Sequence, residues 1–240
     1  MKYFSPCFLK GDFLMKKDRF GIRAIVMIGI LSALAYVIEL VFHIKVAFLT
    51  FDLKDFIVCI SSMLFGPVFG VVISAVTALL EMMTISDTGP WGALMNFVST
   101  AVFASVAGLI YRYYRKLPGA VIALVASVTV GTAVMLLLDI LIVPIYTGSS
   151  TGDVAAAIPK LLLPFNLLKY TTGAALVLIF YKPFSTLLKR AGVIEKTENE
   201  RPYRFNAKTI AVVAVAALIC AVSVFIMLRF MNGRIGFFRQ

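Results

Sequence analysis

The sequence predicts an all-α polytopic membrane protein that crosses the bilayer about seven times. Two observations lead to this prediction. Of the 240 residues, 61% are apolar or aromatic and only 15% are charged, whereas about 25% of the residues of an average soluble domain are charged. The apolar residues also form several runs of about 20, the length that a helix needs to cross a bilayer. Most of the chain is therefore expected to lie in lipid.

The charge pattern argues against a nucleic-acid-binding protein. Lys and Arg outnumber Asp and Glu by 23 to 12, which gives a net charge of +11. In a protein that binds nucleic acid, these basic residues would cluster on polar faces between aromatic residues. Here they lie in short loops between apolar runs, a pattern typical of membrane proteins. We therefore expect the lipid bilayer, and no nucleic acid, as a partner.

The apolar runs predict the helices in order. The first run, 24–42, follows a basic leader, 1–23, and it is too long and lacks the cleavage site for a signal peptide. The run 51–83 is too long for one helix and contains Gly66-Pro67. Because proline disfavours an α conformation in the residue before it, we expect two helices that meet there. Further helices are predicted at 93–111, from after Pro118-Gly119 to about 146, at 158–181 and at 207–230.

These helices define the predicted domains and orientation. A six-helix membrane domain, 24–190, is followed by a charged linker, 191–206, and by an additional helix with its tail, 207–240. Sixteen Lys and Arg residues fall in the leader and the alternate loops on its side, whereas six fall on the other side. Because basic loop residues favour the cytoplasm, the N-terminus is predicted to be cytoplasmic in the cell (plasma) membrane.

Several ionisable residues fall inside the predicted helices, where each costs about 2.5–3.5 kcal/mol on insertion scales. They and their polar neighbours lie mainly in the outer half of the predicted bundle, which indicates a polar pocket that opens to the outside. The residues concerned are Glu39, Asp52, Asp55, Glu81, Asn96, Asp139, Asn166 and Lys169.

Asn166 and Lys169 lie three residues apart and therefore share a helix face. An amide that donates and accepts, beside an ammonium with three donors, suits a heteroaromatic ring that carries carbonyl and imide groups. The alternative is that Lys169 only neutralises Asp139 or Glu81 in a structural ion pair. Residue types alone leave both interpretations open.

Other patterns concern enzymatic and metal sites. The single histidine, His43, and three cysteines without a C-x-x-C pair do not form a metal site, and no phosphate-binding glycine loop or Ser/His/Asp set occurs. We therefore expect neither catalysis nor a resident cofactor. Gly29 and Ala33 form a pair of small residues that permits another helix to approach the predicted helix 24–42 closely.

Four segments in order resemble the substrate-binding S components of energy-coupling factor (ECF) vitamin transporters, and among these the riboflavin-specific type. The segments are FLTFDLKD at 48–55, FGPVFG at 65–70, GALMNF at 92–97 and LPFNLLK at 163–169. The resemblance covers about 24–190. It implies a six-helix protein that captures riboflavin from outside and works with a transmembrane coupling subunit and two ATP-binding subunits.

The resemblance also implies roles for individual residues. Gly29 and Ala33 match small residues that contact the coupling subunit in the family. Asn166 and Lys169 match an Asn and a Lys of the riboflavin pocket, and Asp139 stands where the family has a third pocket residue, an Asn. With these three, the candidate substrate-binding residues are Asn96, Glu81, Thr50 and Asp52.

The sequence departs from the riboflavin pattern at two places. Asp139 replaces an amide by a carboxyl, and Thr77-Ala78 stands where riboflavin types have Lys-Asn. The alternatives are therefore an S component for another heterocyclic vitamin, an ion-coupled carrier or membrane enzyme, and a purely structural subunit. The additional helix lies outside the six of the family.

Overall fold

The computed structural model describes residues 21–46, 49–85, 88–114, 117–190, 207–229 and 234–236. Nearly all of the predicted leader, 1–23, and the whole predicted linker, 191–206, lie outside the described residues. The described chain consists of helices and three short strands. The helices are α1 (Ile22–Val41), α2 (Lys54–Phe65), α3 (Pro67–Thr84), α4 (Gly89–Tyr113), α5 (Leu117–Thr147), α6 (Thr151–Ala157), a π-helical turn (Ile158–Leu162), α7 (Leu163–Arg190) and α8 (Ala207–Arg229).

Five of the described helical segments are long and apolar enough to cross a membrane. They are Ile22–Val41, Pro67–Thr84, Gly89–Tyr113, Pro118–Thr147 and Thr151–Leu188. In α8 the described apolar stretch, Val213–Ile226, is shorter than a full span. The described residues therefore confirm a helical bundle suited to a membrane, but they do not confirm the predicted arrangement of six spans plus one.

The expected helical break at Gly66-Pro67 is confirmed. Gly66 has a φ of 105°, which glycine adopts at low cost because it has no Cβ. Pro67 is the first residue of α3, a position where the missing N–H of proline leaves no hydrogen bond unmade. One apolar run thus forms two helices with a sharp change of direction between them.

A small sheet at one end of the bundle was not predicted. Strands β1 (His43–Val46) and β2 (Leu49–Asp52) form an antiparallel hairpin between α1 and α2, and β3 (Arg234–Gly236) pairs antiparallel with β1. The prediction of a helix from residue 51 was therefore wrong at its start. Because β3 pairs with the hairpin, the C-terminal end of α8 lies at the same end of the bundle as the α1–α2 connection.

Helix α2 forms the centre of the bundle. It packs against α1, α3, α4 and α7, and its residues from Lys54 to Met63 are all buried. Twelve residues rise about 18 Å, less than the roughly 30 Å of a hydrocarbon core. Helix α2 is therefore an enclosed core helix, and its polar N-terminal residues lie inside the protein.

Close helix contact around α2 depends on two glycines. A Cβ built on Gly70 of α3 would lie 2.8 Å from Ser62 Cβ, and one on Gly108 of α4 would lie 2.9 Å from the Ser62 carbonyl oxygen. Real Cβ atoms do not approach other atoms this closely. The glycines therefore set the separation of α2 from α3 and α4.

We expect Gly108→Val to lower the melting temperature of the detergent-purified protein markedly. Overpacking a well-filled core costs about 1–3 kcal/mol, and here the obstacle is backbone that cannot move aside. Gly29→Val is the matched control, because a Cβ at Gly29 meets no atom within 4 Å. Equal melting temperatures for the two variants would contradict the helix spacing described above.

Candidate functional site

A pocket lies where β2, α4, α5 and α7 meet, at the end of the bundle that carries the sheet. Its empty volume is about 470 Å³, counting the part that is open to solvent. The larger apolar and aromatic side chains that line it are Leu49, Met95, Met135, Tyr146 and Phe165. The polar ones are Thr50, Thr88, Asn96, Ser99, Asn166 and Lys169.

The structure brings together all seven predicted substrate-binding residues, in two layers. Four of them line the pocket: Thr50, Asn96, Asn166 and Lys169. The other three lie behind it, and each is hydrogen-bonded to a lining residue: Asp52 to Lys169, Glu81 to Asn96 and Asp139 to Asn166. The seven residues thus lie close together, and the sequence did not distinguish the lining residues from those behind them.

Lys169 joins α7 to the hairpin. It is 5% exposed, and its Nζ atom lies 2.9 Å from Asp52 Oδ2 and 3.8 Å from Asp55 Oδ2. The structural alternative supposed an ion pair with Asp139 or Glu81. The ion-pair partners of Lys169 are Asp52 and Asp55 instead. Burial favours a raised pKa for Asp52, but the ammonium groups of Lys169 and Lys54 outweigh it and hold the pKa below its usual 3.8.

Asn166 is fixed by two acceptors. Its Nδ2 atom donates to Asp139 Oδ2 at 3.1 Å and to the Leu162 carbonyl at 3.0 Å. Since an amide nitrogen carries two hydrogens, both are used, and Oδ1 is the amide atom that can serve a ligand. Asp139 Oδ1 is buried and has no hydrogen-bond partner among the described residues.

Lys54 was not predicted as part of the site, because its charge was assigned to an outer loop. It is 1% exposed and its Nζ atom lies 2.5 Å from Glu39 Oε1 and 2.7 Å from Glu81 Oε2. These contacts tie α2 to α1 and α3. One sequence signal could have indicated this role. Two glutamates predicted inside helices need a cation, and Lys54 is a lysine at the start of a long apolar run.

Aromatic and hydroxyl groups that were not predicted support the pocket wall. The Tyr170 hydroxyl lies 2.7 Å from Ser99 Oγ, and the Tyr170 ring stacks on Phe103 with centroids 5.2 Å apart. The Thr100 hydroxyl donates to Asp55 Oδ1 at 2.6 Å. These contacts hold Ser99, which lines the pocket, and Asp55, whose Oδ2 atom lies 3.8 Å from Lys169 Nζ.

The lining of the pocket suits a small organic ligand. In the described ranges no group of three or more His, Cys, Asp and Glu residues is arranged to hold a metal ion. The lining combines an ammonium donor, amide groups and apolar walls, which is the usual composition of a site for a small organic ligand.

Gly29 and Ala33 lie on the outward face of α1. Both are exposed, as are Val26, Ile30 and Val37 near them, whereas Glu39 points into the bundle. This apolar face is open to lipid or to another helix.

Comparison with known proteins identifies the family. The family profile described as the substrate-specific component of ECF transporters matches residues 23–181. The chain belongs to this family. S components are substrate-binding subunits of membrane transporters, not enzymes, and they act with the other components of the ECF module. The resemblance in the sequence is thereby confirmed, and α8 and β3 lie beyond the matched range.

The S component is similar to two curated proteins and to a solved structure. It is 27% identical over 177 residues to the riboflavin transporter RibU of Staphylococcus aureus, with 70% of this chain and 93% of that protein covered. It is 24% identical over 178 residues to the riboflavin transporter FmnP of Bacillus subtilis, with 68% and 94% covered. A solved S component of a bacterial ECF transporter superposes with a TM-score of 0.60 at 25% identity, covering 70% of this chain and 98% of that one.

Proposed function

We propose that this S component binds riboflavin in the pocket between β2, α4, α5 and α7. The observation that supports the proposal is that Lys169 and Asn166, one turn apart on α7, line the same pocket as several apolar and aromatic side chains. The names of two relatives, both riboflavin transporters, point to the same ligand.

The chemistry of the two side chains fits the polar edge of a flavin ring. The Lys169 ammonium donates to a ring carbonyl, and Asn166 Oδ1 accepts from the neighbouring imide N–H. Phe165, Met95 and Met135 supply apolar surface for the flat ring. Asp52 keeps Lys169 in place, so that little side-chain freedom is lost when the ligand binds.

The proposal also covers the orientation in the membrane and the subunits that supply energy from ATP. We propose that the N-terminus is cytoplasmic, that the pocket faces the outside of the cell membrane, and that α1 contacts a transmembrane coupling subunit joined to two ATP-binding subunits. The exposed face around Gly29 and Ala33 supports this assignment, because small residues let another helix approach.

A different heterocyclic vitamin is the alternative ligand, and one specific observation favours it. Asp139 Oδ1 is a buried acceptor without a partner among the described residues. Asp139 supports Asn166 from behind the pocket, so a carboxyl here, where the resemblance to the riboflavin type implies an amide, changes the charge beside the ligand.

Uptake of radiolabelled riboflavin tests the transport proposal. Cells that express this chain with the coupling and ATP-binding subunits should accumulate riboflavin, and cells that lack those subunits should not. Ala33→Leu should reduce uptake several-fold without changing riboflavin affinity, because the added bulk faces the proposed partner and not the pocket. Ala133→Leu, the same change at an exposed position of α5 that does not line the pocket, is the control. Uptake that persists without the ATP-binding subunits and collapses with a protonophore would instead indicate an ion-coupled carrier.

A further inference from the structure

Helices α1 and α3 and the hairpin all place an acidic side chain near Lys54, the first residue of α2. Its ammonium contacts Glu39 of α1 at 2.5 Å and Glu81 of α3 at 2.7 Å, and Asp52 of β2 lies 3.9 Å away. Neither Lys54 nor Glu81 lines the pocket. Their effect on a ligand must therefore pass through a residue that does.

That residue is Asn96. Its Nδ2 atom donates to Glu81 Oε1, while Glu81 Oε2 accepts from Lys54. A carboxylate can only accept hydrogen bonds, so the nitrogen of the Asn96 amide has to face Glu81. Oδ1 then faces away from Glu81 and is the one atom of the amide that can accept a hydrogen bond from a ligand.

We infer that Glu81, held by Lys54, is a positioning residue that fixes the Asn96 amide so that this wall of the pocket accepts a hydrogen bond from a ligand N–H or O–H. Asp139 fixes Asn166 in the same sense, because Asn166 also uses its nitrogen inside the protein. The two asparagines thus select a ligand with donors at two places, while Lys169 selects a carbonyl. The inference rests on the proposed function, because the probe that tests it is riboflavin. Riboflavin carries an imide N–H and several hydroxyl groups that can donate to the two asparagines.

Glu81→Gln tests the inference because it should reverse the Asn96 amide. Lys54 can only donate, so it should take the oxygen of the introduced glutamine and leave the glutamine nitrogen facing Asn96. Asn96 must then turn its own oxygen toward that nitrogen and its own nitrogen toward the ligand. Two donors would meet in the pocket, and riboflavin affinity, measured by quenching of flavin fluorescence, should fall about tenfold.

Adding Lys54→Met to Glu81→Gln should restore much of this affinity. Without the ammonium, the introduced glutamine is free to turn its oxygen toward Asn96, which recovers the original orientation. Tighter riboflavin binding by the double variant than by the single variant would show that the two residues are coupled. A merely structural lysine would not produce such coupling. Because Glu39 loses its partner, the triple variant Glu39→Gln/Lys54→Met/Glu81→Gln serves if the double variant does not fold.

The possible outcomes separate the inference from the proposed ligand. Riboflavin binding by the wild type, loss in Glu81→Gln and recovery on adding Lys54→Met would support the inference. Unchanged or tighter binding by Glu81→Gln, or a further loss on adding Lys54→Met, would overturn it while leaving the riboflavin proposal intact. A wild type that does not bind riboflavin would overturn the proposed ligand and, with it, the donor assignment. Lys160→Met, at an exposed lysine, is the control for loss of a positive charge.

Discussion

Lys169→Met is expected to weaken riboflavin binding by about 100-fold. A hydrogen bond to a charged group contributes about 1.5–3 kcal/mol, and each 1.4 kcal/mol changes affinity tenfold. Lys169 lines the pocket and is held by Asp52 at 2.9 Å, so that its ammonium is directed before the ligand arrives. Titration of the purified variant with riboflavin measures the effect.

The control for this variant separates recognition from folding. Lys169→Met leaves Asp52 without its closest cation, so that the double variant Lys169→Met/Asp52→Asn is needed to restore the charge balance. The double variant should regain stability but not affinity. Lys160→Met should bind as the wild type does, because Lys160 is exposed and does not line the pocket. Recovery of affinity in the double variant would contradict a direct role of Lys169.

Asp52→Asn and Asp139→Asn are expected to change stability by very different amounts. Removing one partner of a buried ion pair costs about 3–5 kcal/mol, since the other charge stays buried. Asp52 is such a partner, because it is 3% exposed and pairs with Lys169. Asp52→Asn should therefore lower the melting temperature in detergent strongly.

Asp139→Asn should leave the melting temperature unchanged or raise it. Asn at this position keeps an oxygen for the Asn166 amide, and it replaces a buried carboxyl oxygen that has no partner among the described residues. Removal of a buried charge that is not paired relieves a desolvation cost. Both variants replace a carboxylate by an amide at a residue just behind the pocket. Equal losses of melting temperature would therefore contradict the difference between Asp52, which pairs with Lys169, and Asp139, which is hydrogen-bonded to Asn166.

Local sequence patterns predicted the features that depend on neighbouring residues. Gly66-Pro67 determines its own backbone, and the break between α2 and α3 follows from it. Asn166 and Lys169 share a helix face because their spacing is three, and both line the pocket.

The ion pairs were not predictable in the same way. Asp52 and Lys169 are 117 residues apart, and the sequence alone did not indicate which of several acids would meet this lysine. Lys54 was counted as an outer-loop charge because it lies near the start of a long apolar run, yet α2 is enclosed by four helices. The hairpin was missed because two strands of four residues inside apolar sequence resemble the ends of helices.

The central proposal is that this S component binds riboflavin, and its most direct test is to identify what the purified protein carries and binds. The detergent-purified chain should show flavin absorbance or quench added riboflavin at a one-to-one ratio, and denaturation should release riboflavin identifiable by mass spectrometry. Release of a different heterocycle, with no quenching of riboflavin, would contradict the proposed ligand.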